Sequence, residues 1–229
     1  MDLPTTVAKV ARRQLLTDHV YDELLESLVD GRFGADTVLN IDALARSMDV
    51  SQTPVREALA RLEATGLVRR TALKGYRVSP VLTAAEFDQL MDARLALEPI
   101  NSFLACSNVT PELMQSLEES VNELRNAKRG PSFAEFRTFL EADEKFHGLI
   151  AEAANNRFLL SAYRALGGQL QRFRLFAGLG VTDADFAIEE HERIRDAFAT
   201  GDAELAKSMM VSHISNVRER AESEANSRT

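Results

Sequence analysis

Four side chains in the second half of the chain have the types and the spacing to hold a metal ion. Asp143 and His147 stand four residues apart in Asp143-Glu-Lys-Phe-His147, so a helix there projects both from one face. Counting 3.6 residues per turn, Leu140 and Ile150 share that face, which turns it inward. His191 lies in Glu190-His-Glu-Arg-Ile194, surrounded by the apolar Ile188, Ile194 and Phe198. His213 precedes Ile214 and follows Met209 and Met210 by one turn. One carboxylate and three imidazoles thus come from three helices, each on or beside an apolar face. A single histidine in such a place is ordinarily a core residue with a hydrogen-bond partner. Three beside a carboxylate can instead share a cation that satisfies all four. Periodicity by itself leaves both readings open. The set contains no thiolate, so it suits Zn²⁺, Ni²⁺, Co²⁺ or Mn²⁺ without selecting among them.

A second constellation has the chemistry of base-edge and phosphate contact. Within 51–62, Val55, Leu59 and Leu62 recur at i, i+4 and i+7 and must face a core. The opposite face then carries Gln52, Thr53, Arg56 and Ala60. A guanidinium, an amide and a hydroxyl near a helix N-terminus, with a small residue behind them, are what a helix needs to enter a major groove. An ordinary helical hairpin with a solvated face would look the same over this stretch. The following segment favours DNA: Leu67–Arg70 and Tyr76–Val78 read as two short strands around Thr71–Gly75, a wing that brings Arg69, Arg70, Lys74 and Arg77 toward phosphates or a minor groove. From Arg46 to Pro80 seven cations face three acids, a local surplus of positive charge.

The elements that must position these groups carry their own start and stop signals. Leu15–Asp30 is an amphipathic helix with Val20, Leu24 and Leu28 on one stripe, and Gly31 ends it. Residues 1–14 are polar and read as a flexible arm. Asn40 caps a short helix, Ile41–Met48; Asp49-Val50 is the turn. Ser51 caps the next helix through its side-chain oxygen, with Pro54 in the first turn where a missing N–H costs nothing. Gly66 stops that helix, and Ser79-Pro80 marks the end of the unit. After Pro80 only helix patterns follow. Thr83 with Glu86 forms a capping box opening a helix to about Cys106, which Pro99 is expected to kink or break. Further helices start at Thr110-Pro111, at Ser132 with Glu135, at Asn156 and at Thr182 with Asp185. A last one follows Gly201-Asp202. Arg172 and Arg174 are candidates to hold an anion, with a solvated face as the alternative, and His19 has no partner and reads as structural.

The run Val50-Ser51-Gln52-Thr53-Pro54-Val55-Arg56-Glu57-Ala58-Leu59, then Leu62-Glu63 and Gly66-Leu67-Val68, resembles the signature of the GntR family of bacterial transcription regulators, over about Leu15 to Pro80. The resemblance implies a winged helix-turn-helix, with Ser51, Gln52, Thr53, Arg56, Arg69, Arg70, Lys74 and Gly75 as candidate DNA-contacting residues. Two positions depart from the family: it usually carries Arg where this chain has Gln52, and often a basic residue where it has Asp42. Operator sequence therefore does not transfer, because Gln favours adenine edges where Arg favours guanine. In the second half, Asp-x-x-x-His, Glu-His-x-x-Ile with Gly201-Asp202 downstream, and the late His-Ile resemble the FCD ligand-binding domain of the FadR subfamily. That domain is an all-helical bundle in which many members hold a divalent metal. The resemblance implies Asp143, His147, His191 and His213 as ligands, with leftover coordination positions open to water or an effector carboxylate. Arg94, in Arg94-Leu-Ala-Leu-Glu98, matches an arginine that in the family can reach the effector pocket; an intrahelical pair with Glu98 is the equal alternative.

The expected architecture is mainly α: an arm at 1–14, a winged helix-turn-helix at 15–80, and an all-α antiparallel bundle of six to seven helices at 81–229. Composition agrees. Residues 1–80 balance in charge, so the whole net charge of −8 belongs to the second part, and an acidic partner domain confines DNA to one face. The single cysteine, Cys106, excludes an internal disulfide. No apolar run reaches membrane-span length and Met1–Val10 lacks the apolar core of a signal peptide, so no membrane partner and a cytoplasmic location are expected. The function implied is a homodimeric, operator-binding regulator, a repressor in type, whose affinity for double-stranded DNA responds to a small carboxylate bound beside a divalent metal. The alternative is a metal-dependent hydrolase or lyase acting on a small carboxylic acid, with Glu144, Glu190 or Glu192 as the general base it would require.

Overall fold

The computed structural model describes residues 3–71, 75–130, 132–166 and 183–226. The chain divides into two compact units, Met1–Val81 and Leu82–Thr229.

In the first unit α1 (Leu3–Val29) packs against α3 (Gln52–Ala64), with α2 (Ile41–Ser47) between them in sequence. The helix thus starts at Leu3, not Leu15, across the stretch read as an arm. Pro4 does not oppose this, because the first turn of a helix has no use for its N–H. Val20, Leu24 and Leu28 meet Val55, Leu59 and Leu62 in a core where none is more than 3% exposed. At its edge Thr17 donates to Glu57 (2.9 Å) and Arg61 pairs with Asp18 (2.6 Å), fixing the two helices in register.

Asn40 caps α2 as expected, its side-chain oxygen accepting from the Ala43 N–H at 2.9 Å. Ser51 stands at the cap position of α3 with extended backbone but makes no side-chain cap bond. The reason lies in the sequence: Pro54 is the third helical residue, and a proline has no N–H to give the cap. After Gly66 (φ +74°), β2 (Val68–Thr71) and β3 (Gly75–Val78) pair antiparallel in the register Val68↔Val78 to Thr71↔Gly75. A strand not foreseen, β1 (Val38–Leu39), adds to the other side of β3, giving the order β1-β3-β2. Two residues are too few for any alternation to show in sequence.

The second unit has six helices among its described residues. They are α4 (Ala84–Ser107), α5 (Pro111–Asn126), α6 (Phe133–Ala153), α7 (described at 157–166), α8 (Ala184–Thr200) and α9 (Ala203–Asn226). The start signals function as the sequence suggests. Thr83 and Glu86 form the capping box, Thr110 accepts from Leu113, and Asn156 accepts from Phe158 and Leu159. Gly201 (φ +72°) closes α8, and Asp202 accepts from Leu205 to open α9. Thr182, Arg172 and Arg174 lie outside the described residues.

Pro99 does not break α4, which runs as one element past it. Met91, Arg94 and Glu98 before it and Asn101, Ser102 and Ala105 after it are all buried, so packing on both sides of the proline holds the helix together against one lost hydrogen bond. The helices contact in a closed circuit: α4 with α6, α6 with α5, α5 with α8, α8 with α9, and α9 with α4. Phe87, Met91, Phe146, Ile194, Phe198, Met210 and Ile214 fill its interior. Polar groups on inward faces of this circuit must therefore meet one another.

Candidate metal centre and DNA-reading face

His147 of α6, His191 of α8 and His213 of α9 come together. Each can offer one ring nitrogen such that the three atoms lie within 4.8 Å of one another, and all three residues are buried. The rings sit 4.7–5.2 Å apart between centroids, with Phe146 packed edge-on against His147 and His191.

The other nitrogen of each ring is already committed. His191 Nδ1 lies 2.6 Å from the Ala187 carbonyl oxygen, and His213 Nδ1 lies 2.8 Å from Glu190 Oε2. His147 Nδ1 approaches Glu98 Oε2 at 2.7 Å, off the line of a straight hydrogen bond. A carbonyl and two ionised carboxylates can only accept, so each imidazole carries its proton on Nδ1 and its lone pair on Nε2. Nε2 of His147 and of His191 has no hydrogen-bond partner among the described residues. Lone pairs converging in a dry interior with no proton to share repel one another, and a cation relieves this. Residues with Nδ1 anchored by an acceptor and Nε2 open are the arrangement of metal-ligating histidine. The residues therefore fit a divalent ion. Asp143 stands beside them, its Oδ1 3.3 Å from His191 Nε2. A carboxylate that close to an imidazole lone pair also calls for a positive charge between them.

At His213 the electrostatics agree with a neutral ring. Burial, reinforced by the two neighbouring histidines, brings the His213 pKa down to about 3 despite its bond to Glu190. Burial opposes ionisation of Glu190, but hydrogen bonds from His213 and Arg220 outweigh it and bring that pKa to about 2. Arg220 grips Glu190 through Nη1 (2.7 Å) and Nη2 (3.0 Å) and reaches Asp183 through Nε (2.8 Å), while Asn216 donates to Glu190 at 2.9 Å.

Arg94 and Glu98 form the pair the sequence allowed, with Nε to Oε1 at 2.6 Å and Nη2 to Oε2 at 3.4 Å. It is not the exposed surface pair that i, i+4 spacing normally signals. Arg94 is 4% and Glu98 2% exposed, and Glu98 also meets His147. Against burial, the Arg94 guanidinium and His147 hold the Glu98 carboxyl far below the usual range. Arg94 thus abuts the histidine cluster through one shared carboxylate. Sequence reasoning missed Glu98 and Glu190 as the acceptors that orient His147 and His213. The signal available was their place at turn spacing on inward faces, Glu98 with Arg94 and Met91, Glu190 with Ala187 and Ala197.

The carboxylates that a hydrolase would recruit are otherwise engaged or exposed. Glu190 is held by His213, Asn216 and Arg220, Glu192 pairs with Arg125 at 2.5 Å, and Glu144 faces solvent.

In the first unit Ser51, Gln52, Thr53, Arg56 and Ala60 are all exposed along one side of α3. Arg56 Nη2 donates to Gln52 Oε1 at 2.9 Å, so the two side chains lie together at the helix N-terminus. On the wing, Arg69 pairs with Asp36, Arg77 donates to the Asp36 carbonyl at 2.8 Å, and Arg70 is exposed. Gly75, the first residue of β3, takes φ +78°, a conformation that glycine adopts without strain. Lys74 lies outside the described residues. His19 is exposed, 3.5 Å from Glu23.

Residues 16–78 match the family model for bacterial regulatory proteins of the gntR family, and residues 89–216 match that for the FCD domain. The probable D-xylose utilization operon transcriptional repressor of Paenarthrobacter nicotinovorans is 30% identical over 207 residues, covering 90% of this chain and 89% of that one. The transcriptional regulator LutR of Bacillus subtilis is 29% identical over 203 residues, covering 80% and 90%. Among solved structures, E. coli McbR/YncC superposes with TM-score 0.70 at 21% identity over 91% of this chain and 97% of that one, a likeness of fold. No helix among the described residues is long and apolar enough to cross a membrane. With a winged helix-turn-helix matching one family model and a helical bundle matching the other, the chain belongs to the GntR family of DNA-binding transcription regulators, in the branch with an FCD domain, and is not an enzyme.

Proposed function

We propose that this regulator is a homodimeric repressor whose operator affinity is set by a small carboxylate bound beside a divalent metal. The observation that carries the proposal is the trio His147, His191 and His213, each with Nδ1 facing an acceptor and, at His147 and His191, Nε2 buried with no hydrogen-bond partner among the described residues. These three would hold the ion, with Asp143 as a fourth ligand; the metal would supply a fixed positive charge with positions open to a carboxylate. Arg94, beside the cluster, would add a second cation for that anion. In the first unit Gln52, Thr53 and Arg56 would read base edges, and Ser51, Arg69, Arg70, Lys74 and Gly75 would contact the backbone. Dimerisation follows from the reach of one recognition helix, which covers only a few base pairs, whereas a two-fold dimer reads a palindrome. A named repressor among the relatives supports repression as the sign of control. Coupling requires the acid to favour one arrangement of the DNA-binding units over another.

The test is a gel-shift titration of the metal-loaded protein on the DNA upstream of its own gene. A specific, salt-sensitive complex that a carboxylic acid weakens supports the proposal. No specific complex, with or without acid and metal, refutes it.

A further inference from the structure

The wall of α4 that faces the histidine cluster carries more hydrogen-bonding capacity than the protein uses. Asn101 follows Glu98 by three residues and Arg94 by seven, so helix geometry lines the three along one stripe about 10 Å long. Asn101 is 1% exposed, yet neither its amide nitrogen nor its oxygen has a hydrogen-bond partner among the described residues. Ser102, next to it and fully buried, likewise leaves its hydroxyl unpartnered. From α7, Tyr163 presents a third such group: it is 4% exposed and its hydroxyl has no partner among the described residues. Tyr163 belongs to the same space. One turn along the same helix Leu166 packs against the core that holds Met91 and Phe146, and the charges of Glu98, Arg94 and Asp143 reach the buried Tyr163 hydroxyl. Burying an amide or hydroxyl without a partner is destabilising, so three together beside a candidate ligand site call for an occupant that satisfies them. An alkanoate would leave all three unsatisfied. Asn101 offers a donor and an acceptor at one position, and hydroxyl groups satisfy both.

Resting on the carboxylate-and-metal reading above, we propose that the effector is a hydroxylated small acid, of the hydroxy-acid or sugar-acid class, whose hydroxyl groups are recognised by Asn101 and Tyr163 while its carboxylate lies toward the histidine cluster and Arg94. Asn101 and Tyr163 then determine specificity, and Ser102 supplements them.

Calorimetric and thermal-shift titrations of the metal-loaded full chain with acids of matched chain length test this: glycerate against propionate, threonate against butyrate, gluconate against hexanoate. A site built to bond hydroxyls rejects the analogue lacking them, so the hydroxylated member of at least one pair should bind on the order of a hundredfold more tightly. Asn101→Leu and Tyr163→Phe should each narrow that preference about tenfold, one neutral hydrogen bond's worth. Asn101→Leu should also raise the unfolding midpoint without acid, since it removes an unsatisfied amide. A purely structural asparagine would show the reverse, a lower midpoint with affinity unchanged, and that result removes it from the site. If alkanoates bind as tightly as their hydroxylated partners, the hydroxylated class is wrong while the carboxylate-at-metal reading stands. If the metal raises the midpoint and no acid of either series binds, both fall.

Discussion

Replacing Glu98 by glutamine removes one negative charge from the most buried ionic contact among the described residues, and the structure sets what should follow. Arg94 is 4% exposed and donates two bonds to this single carboxylate, at 2.6 and 3.4 Å. Removing one member of a buried pair leaves the other charge uncompensated, a loss of about 3–5 kcal/mol. At roughly 2–4 °C per kcal/mol for a unit of this size, the unfolding midpoint of the helical bundle should fall by about 6–20 °C. The double variant Arg94→Met, Glu98→Leu removes both charges and retains only the lost acceptor at His147, a cost of about 1–3 kcal/mol. It should therefore be more stable than Glu98→Gln, although it carries one more substitution. Because Glu98 also orients His147, Glu98→Gln should weaken metal binding about 10–100-fold, whereas Arg94→Met should leave metal affinity near that of the parent. Chemical denaturation of metal-free protein and competitive chelator titration give the two numbers. A double variant whose loss equals the sum of the losses of Arg94→Met and Glu98→Leu made singly would refute the coupling, and unchanged metal affinity in Glu98→Gln would refute the orienting role.

Three further outcomes are expected. His191→Ala should lose most of the stabilisation that added Zn²⁺, Ni²⁺, Co²⁺ or Mn²⁺ confers on the parent, read as midpoint against metal concentration; an undiminished metal response would remove His191 from the ligand set. Without metal, stability should fall as the solution is acidified. His213, with its native pKa lowered from 6.5 to about 3, binds its proton only after unfolding, so stability present above pH 6.5 is lost below it at up to about 1.4 kcal/mol per pH unit. Glu190, lowered from 4.5 to about 2, adds a loss in the same direction below pH 4.5. His213→Gln should remove the first part of that slope, and an unchanged profile between pH 6.5 and 5 would contradict the assignment. Finally, Gln52→Arg should change base preference at one operator position per half-site in a binding selection, while a uniform change of affinity would show that Gln52 does not read a base.

By itself the sequence determined most of the helices and their order, along with the two wing strands. Asn40, Thr83 with Glu86, Thr110, Asn156 and Gly201 mark helix ends through local hydrogen bonds and backbone freedom, which depend on neighbours only a few residues away. The exposed side of α3 was legible for the same reason, because 3.6-residue periodicity needs no partner to define a face. Where local chemistry competed with packing, packing decided. Pro99 continues through a buried helix, and Val38–Leu39 becomes a strand only because β3 lies beside it. Ser51 shows that even a local rule can be cancelled by another, since Pro54 removes the N–H the cap would take. The histidines were legible as candidates but not as a site. Residues 147, 191 and 213 are distant in the chain, and only the closed circuit of helices brings their ring nitrogens within 4.8 Å. What the tertiary structure alone decided is which groups stand behind them. Glu98, Glu190 and the Ala187 carbonyl fix the tautomers, and Asn101 and Tyr163 are buried without hydrogen-bond partners among the described residues, because burial and partner count are properties of the packed bundle and not of any one helix.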